Sequence, residues 1–298
     1  MFLVNVIVPV VLIAGAGYLF ARLVKFDLTP FTRLSFYVLT PILIFNSMLS
    51  HSLSGTVLVN VTLFVFAVHG AFLLLASLGV RWTHWDSDTK TAAVLSLTFG
   101  NCGIYGLPVL LFAFGDEGFA VGVVYMVAQL AFQVLFGVGI ASWRKGMSIR
   151  GLIREICAVP WLLAIVLGVV VRLTGFQLPV AVGRPIEMLA DATIPIQLLL
   201  LGMTLTQVRL GGLVRQAVPL SVAKLVVPPL VAWGLAVLFG FDKLVSSVLI
   251  LEAGTPTAVN ALILSLQYNR RSELSAAVVL LTTIAGVAAT SVLLWLLT

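Results

Sequence analysis

The chain has 298 residues, of which 61% are hydrophobic and only 9% charged, with a mean hydropathy of +1.17. A soluble domain carries about 25% charged residues, so a water-soluble enzyme, a nucleic-acid binder and a disordered chain are all excluded. The formal net charge of +6 lies in short gaps between long apolar runs, the pattern of membrane-flanking loops.

A membrane span needs about 20 mostly apolar residues. Taken along the chain, ten such segments are predicted: 2–22, 30–50, 57–80, 89–114, 118–142, 157–175, 187–207, 214–239, 243–267 and 273–297. They are continuous apolar runs without two-residue alternation, so the fold class is all-α and polytopic rather than a β-barrel. The opening MFLVNVIVPV has no basic segment and no small-residue cleavage site, and reads as a retained span, not a signal peptide. The longest connection lies around Trp143 to Cys157. Cys102 and Cys157 fall in separate apolar segments, so neither a disulfide framework nor a metal cluster is expected.

The loops fix an orientation. Those after odd-numbered spans hold 13 basic residues: Arg22, Lys25, Arg33, Arg81, Lys90, Arg144, Lys145, Arg150, Arg154, Arg209, Arg215, Arg270 and Arg271. The opposite face holds 3, namely Arg172, Arg184 and Lys243, and Lys224 lies inside a span. The positive-inside rule then makes this a multi-pass protein of the cell membrane with both termini outside the cytoplasm.

The two halves, 1–150 and 151–298, resemble each other. Offset by 154 residues, KTAAVLSLTFG (Lys90–Gly100) lies over LVSSVLILEAG (Leu244–Gly254), and Pro41 over Pro195; a shift of 151 puts Pro9 over Pro160. Five spans per repeat is an odd number, so the second repeat crosses inverted. Inverted repeats with interrupted helices at equivalent positions point to a secondary transporter and to its binding site.

The interruptions are FGNCGIYGLP (Phe99–Pro108) in the fourth span and EAGTPTAVN (Glu252–Asn260) in the ninth. Gly and Pro weaken the helical ladder and free backbone groups, which at this depth must be buried in protein or line a wet cavity. Half-helix N-termini there favour an anion. The expected substrate residues are Asn101, Gly103, Tyr105, Thr255, Pro256, Thr257 and Asn260, with Asn46 added from the second span. Asn and Thr hold an anion without the grip of a buried Arg. The competing reading is that Gly and Pro only kink packed helices.

Ionisable residues in spans are functional by default, which singles out Glu252, Lys224, His69 and Asp191 as coupling or charge residues. Glu252, just before the ninth-span break, is suited to carry a proton or meet a cation, or else is a structural acid that pairs with Lys224 or a backbone amine. Lys224 would draw in an anion. His69 titrates near neutral pH without help, although a lone His is more often a packing residue. Asp191 is expected in the first turn of the seventh span, where the helix dipole favours an acid. Gln129 and Gln133, at i and i+4, are expected to pack helices. His51 and His84 lie in loops without companion ligands, and Trp82 and Trp85 read as interfacial anchors.

At these residues the sequence resembles the auxin efflux carrier superfamily, which includes plant PIN carriers and bacterial organic-acid permeases. The likeness covers the whole chain and is carried by LTPILIFN (Leu39–Asn46), GNCGIYGLP (Gly100–Pro108), Pro256, QYN (Gln267–Asn269) and ELS (Glu273–Ser275). It implies ten helices in two inverted five-helix repeats, similar to bile-acid symporters, with broken helices 4 and 9 crossing. It also implies a scaffold of helices 1, 2, 6 and 7, a transport unit of helices 3–5 and 8–10, an elevator motion, and a homodimer formed through the scaffold. The family's helix-4 asparagine maps onto Asn101 and its helix-9 proline onto Pro256. The sequence departs from plant carriers in three ways: glycines fill the helix-4 break, Thr255 stands where those carriers have asparagine, and the long cytosolic middle loop is missing. A bacterial-type organic-acid carrier therefore fits better than an auxin carrier.

The function expected is secondary active transport of a small organic anion, a mono- or dicarboxylate of malate, malonate or auxin type, coupled to H+, Na+ or membrane potential. No cofactor and no nucleic acid are expected; the partners are the substrate, membrane lipid and a second copy. The alternatives are an anion channel, although no ring of charges is evident, and a sodium-coupled symporter of bile-acid type. An intramembrane enzyme would need a nucleophile–base set or metal motif, and HExxH and GxSxG are absent. A sensor would need an extramembrane signalling domain.

Overall fold

The structure is a computed structural model, and it describes residues 2–24, 26–50, 54–142, 160–206 and 213–298. Lys25, His51, Arg144, Lys145, Arg150, Arg154, Cys157 and Arg209 lie outside the described residues, as does the start of the span predicted at 157–175.

Among the described residues every regular element is a helix. Helix α1 (Phe2–Leu23) is followed by α2 (Thr29–Leu34), a π-turn at Ser35–Leu39 and α3 (Thr40–Ser50), which run on as one apolar stretch. Helix α4 (Gly55–Arg81) begins at Ser54, whose hydroxyl accepts the Val57 N–H. Helix α5 (Ser87–Thr98) begins at Asp86, whose carboxylate accepts the Thr89 N–H at 2.7 Å. After the break at Phe99 to Asn101 come a π-turn at Cys102–Gly106, α6 (Leu107–Phe132), a second π-turn at Gln133–Gly137 and α7 (Val138–Ser142). Within α6 the chain changes direction at Gly115, which has φ 63° and ψ −162°. Only glycine adopts that conformation without steric cost, and the turn separates the spans predicted at 89–114 and 118–142. The second half comprises α8 (Pro160–Leu173), α9 (Val180–Leu205), α10 (Val214–Phe239), α11 (Lys243–Ala253), α12 (Val259–Gln267) and α13 (Ser272–Leu297).

Among the described residues, seven helical stretches are long and apolar enough to cross a membrane, beginning at Asn5, Thr29, Gly55, Cys102, Val180, Val214 and Ser272. The spans predicted at 89–114 and 243–267 instead form as shorter pieces, because Gly100, Gly254 and Pro256 interrupt them. Helix α9 starts at Val180, directly after Pro179, rather than near residue 187. Asp191 thus lies about three turns inside the helix on an exposed face, and the first-turn dipole argument does not apply to it. Arg184 likewise belongs to the helix, not to a loop.

The helices gather into two groups. Helix α1 packs along α9, and α3 packs on α8 and α9. Glycines allow the α1–α9 approach: a methyl on Gly17 would strike the Leu199 carbonyl, and one on Gly202 the Ala14 carbonyl. The second group is α4, α5, α6, α10, α11, α12 and α13. One apolar core runs through both groups, from Val6 and Val10 through Leu198 to Tyr105, Leu110 and Leu249. The outer faces are apolar too: Leu12 is 66% exposed and Leu238 81%. A water-soluble monomer does not present such continuous apolar surface, so these faces suit lipid.

Gly202→Val is expected to destabilise the α1–α9 crossing by about 1–3 kcal/mol, the usual cost of overpacking, read as a lower melting temperature in detergent. Gly15→Val, where a side chain meets nothing within 4 Å, should leave that temperature unchanged.

Candidate functional site

The two breaks cross and join. Gly100 and Thr257 pair as an isolated antiparallel bridge. The Asn101 N–H donates to the Pro256 carbonyl at 2.7 Å, and the Ala258 N–H donates to the Phe99 carbonyl at 3.0 Å. Backbone groups released by one broken helix are thus satisfied by the other, as an apolar surrounding demands. The Thr257 hydroxyl donates to the Ser96 carbonyl at 2.9 Å, and the Thr257 N–H donates to Thr282 Oγ1 at 3.0 Å. Gly286 on α13 provides room for the Pro256 ring.

This crossing sets four helix ends against one point. Helices α5 and α11 end there; the Cys102–Gly106 turn leading into α6, and α12, begin there. The first N–H groups of a helix have no partner within it and carry its positive end. The arrangement therefore offers two N-termini to a negatively charged group.

Of the polar side chains expected at the site, several are already engaged. Thr255 Oγ1 donates to the Glu252 carbonyl at 2.6 Å, capping α11. The Thr257 hydroxyl is spent as described, and the Tyr105 hydroxyl donates to Thr290 Oγ1 at 2.9 Å. Asn101 differs: it is buried, and its side-chain Nδ2 has no hydrogen-bond partner. Asn260, in the first turn of α12, is half-buried, and Gly103, beside the Met126 sulfur, is half-buried too. Asn46 lies on α3, in the other helix group, and Asp191 faces outward from α9.

Beside the bridge lies a buried polar cluster. Gln129 Nε2 donates to the Gly100 carbonyl at 2.7 Å, and Gln129 Oε1 accepts the Cys102 thiol at 2.9 Å and lies 2.9 Å from His69 Nε2. His69 Nδ1 lies 2.9 Å from the Val65 carbonyl. The Lys224 ammonium sits next to Gly100 and 5.9 Å from the centre of the Phe72 ring. The Glu252 carboxyl group lies over Gly106 and Gly122, fully buried, and neither oxygen has a hydrogen-bond partner; the Tyr125 hydroxyl is likewise unpartnered. Among the described residues no ion pair joins Lys224 to Glu252, so the structural pairing weighed for Glu252 is not formed.

The structure thus brings Asn101, Thr255, Pro256, Thr257, Glu252, Lys224 and His69 to one place. It adds Cys102, Tyr125 and Gln129. Gln129 is more than helix packing, because it links His69, Cys102 and the bridge carbonyl. Its spacing from Gln133 marked a polar face of the helix but not what that face touches. Among the described residues no group of three or more His, Cys, Asp or Glu side chains is placed to hold a metal ion.

Gln129→Leu is expected to strip the Gly100 carbonyl and the Cys102 thiol of their partner. A buried unsatisfied group costs about 1–3 kcal/mol, so the melting temperature should fall, whereas Gln133→Leu should cost less. Equal melting temperatures for the two variants would show that Gln129 is not the hub of the cluster.

A family model described as "Membrane transport protein" matches residues 2–151 and 144–296 of the chain. A protein of Methanothermobacter thermautotrophicus named "Uncharacterized transporter" is 28% identical over 261 residues, covering 87% of this chain and 85% of that protein. One of Rhizobium meliloti named "Putative malonate transporter" is 26% identical over 234 residues, covering 76% of this chain and 73% of that protein. With apolar helices enough to cross a membrane several times and a family model spanning both halves, the chain is a membrane transporter of the auxin-efflux-carrier type and belongs to the membrane transport protein family.

Proposed function

We propose that the protein is a secondary active carrier of a small organic anion, a dicarboxylate of malonate type, bound where the two broken helices cross. The observation that carries this reading is the bridge between Gly100 and Thr257, with the unpartnered Asn101 amide beside it. Two helix N-termini and a neutral amide donor converge there, and the Lys224 side-chain nitrogen lies next to Gly100, where it attracts an anion when protonated. A carboxylate meets hydrogen-bond donors and a favourable field without being locked by a bidentate arginine. The malonate-type substrate rests on the relative from Rhizobium meliloti and its printed name.

The architecture in this proposal has ten spans in two inverted repeats, residues 1–150 and 151–298. Helices α1, α2–α3, α8 and α9 form the scaffold, and the remaining helices form a transport unit that slides past it in an elevator motion. Two features support it. The close α1–α9 crossing ties the scaffold together across the two halves, and both broken helices fall in the same helix group. In this reading both termini lie outside the cytoplasm of the cell membrane, which the basic-residue bias supports, and two copies associate through the scaffold. Glu252 couples transport to protons or sodium, because its carboxyl group is buried without a partner beside the crossing. Lys224 and His69 set the field it works in.

Asn101→Ala tests the site. Loss of one donor to the carboxylate is expected to cost about 1–3 kcal/mol of binding, roughly a tenfold to hundredfold loss of affinity. Purified variant and wild type are compared by malonate-induced thermal shift and by uptake into proteoliposomes. Unchanged affinity and uptake would remove Asn101 from the site. If no small mono- or dicarboxylate shifts the melting of the wild type, the organic-anion reading itself fails.

A second test concerns coupling. Glu252→Gln is expected to abolish gradient-driven accumulation while retaining substrate exchange between equilibrated compartments. Full accumulation by Glu252→Gln, under both proton and sodium gradients, would take the coupling role from Glu252. Reporters active only in the cytoplasm, fused to either end, are expected to stay silent.

A further inference from the structure

Arg270 is one of the basic residues that the loop charge bias accounts for, yet its side chain is only 6% exposed. It sits in the turn between α12 and α13, where Asn269 adopts a left-handed φ of 51° and the Arg270 N–H donates to the Ser265 carbonyl at 2.7 Å. From there the guanidinium reaches across to the other half of the chain. Its Nε and Nη2 donate to the Ala141 carbonyl at 2.9 and 2.6 Å, and its Nη1 donates to Asp88 Oδ1 at 2.6 Å. Ala141 lies on α7. Asp88 lies in the first turn of α5. One planar fork therefore ties the outer ends of three helices, a geometry that a lysine cannot reproduce.

The tie is the outermost of three along one seam. At the inner end is the bridge itself, reinforced by the Thr257 hydroxyl on the Ser96 carbonyl. In the middle, Ser96 Oγ donates to Ser275 Oγ at 3.3 Å, and Ser275 Oγ lies 2.8 Å from Ser265 Oγ, joining α5, α13 and α12. At the outer end is Arg270 with Asp88. From Asp88 to Thr98 the helix rises about 15 Å, so α5 and α12 are pinned at both ends and between.

We infer that Arg270 is a positioning residue whose guanidinium, bound to Asp88 and the Ala141 carbonyl, holds α5 and α12 in the register at which the two breaks bridge. The substrate consequence rests on the crossing being the binding site; the structural consequence does not. Without the fork, the outer ends of α5 and α12 separate, and the strain is taken up at the bridge, whose two backbone hydrogen bonds are few and short-ranged. An exposed ion pair contributes little, and Asp88 is 42% exposed, but the arginine is buried and its two bonds to the Ala141 carbonyl are buried with it.

Cys102, buried at the crossing, is a native reporter. In a Cys157→Ser background, the rate of Cys102 modification by a small maleimide is measured well below the melting temperature for the parent, Arg270→Gln, Arg270→Lys, Asp88→Asn and Gly202→Val. Arg270→Gln is expected to speed labelling by roughly tenfold or more, the population change that follows from losing a buried charge-assisted hydrogen bond. Asp88→Asn should speed it less, and Arg270→Lys should recover only part of the protection. Gly202→Val lowers the melting temperature through the other helix group and should leave labelling at the parent rate. That contrast separates positioning from general loss of stability. Parent-rate labelling in Arg270→Gln would overturn the inference, as would equal acceleration in Gly202→Val. A parallel malonate uptake assay is expected to show a raised KM for Arg270→Gln. If the parent takes up no malonate, the substrate reading fails while the labelling still decides the role of Arg270.

Discussion

A backbone group released inside an apolar surrounding must find a partner, and this requirement organises the molecule. Two helices stop part-way, at Phe99 to Asn101 and at Gly254 to Ala258, and each would leave unpaired N–H and carbonyl groups. They satisfy one another through the Asn101–Pro256 and Ala258–Phe99 hydrogen bonds. That reciprocity fixes where the two helices cross and brings four helix ends together. Gly100, Pro256 and Gly286 are explained by it. The first lets the chains approach beside Thr255, the second supplies the carbonyl that accepts the Asn101 N–H, and the third makes room for the proline ring.

Once the backbone is settled, the side chains near the crossing divide into two kinds. Thr255, Thr257 and Gln129 spend their donors on backbone carbonyls around the crossing. Asn101, Glu252 and Tyr125 keep polar atoms without partners. A buried polar group without a partner is costly, and a fold that retains several in one place, beside a buried ammonium, departs from the rule for stability in the way functional sites do. The side chains that hold the framework and those left with unpartnered polar atoms are therefore separable by their hydrogen bonds, although both kinds surround one crossing.

The rest of the chain supports this site from two sides. The α1–α9 crossing is close because glycines face carbonyls on both helices, which gives a tight packed pair outside the group that carries the breaks. Within that group, the seam from the bridge through Ser96, Ser275 and Ser265 to Arg270 braces α5 against α12. Hydrogen bonds thus brace the group that carries the breaks, while apolar side chains fill the space between the two groups.

Composition and hydropathy were sufficient to show an all-helical membrane protein, because the length of an apolar run reflects the thickness of lipid and needs no knowledge of neighbours. The breaks were legible as well, since Gly and Pro act on their own backbone. Helix limits were less so: α9 begins at Val180, and Asp191, read as a first-turn acid, stands inside the helix on an exposed face. What lay beyond the sequence was partnership. Nothing local shows that the Thr257 hydroxyl is consumed by Ser96, that Glu252 is not paired with Lys224, that Gln129 links His69 to Gly100, or that Arg270 reaches Asp88 182 residues away. Those contacts depend on which helices become neighbours, and distance in space is decided only when the whole chain has packed.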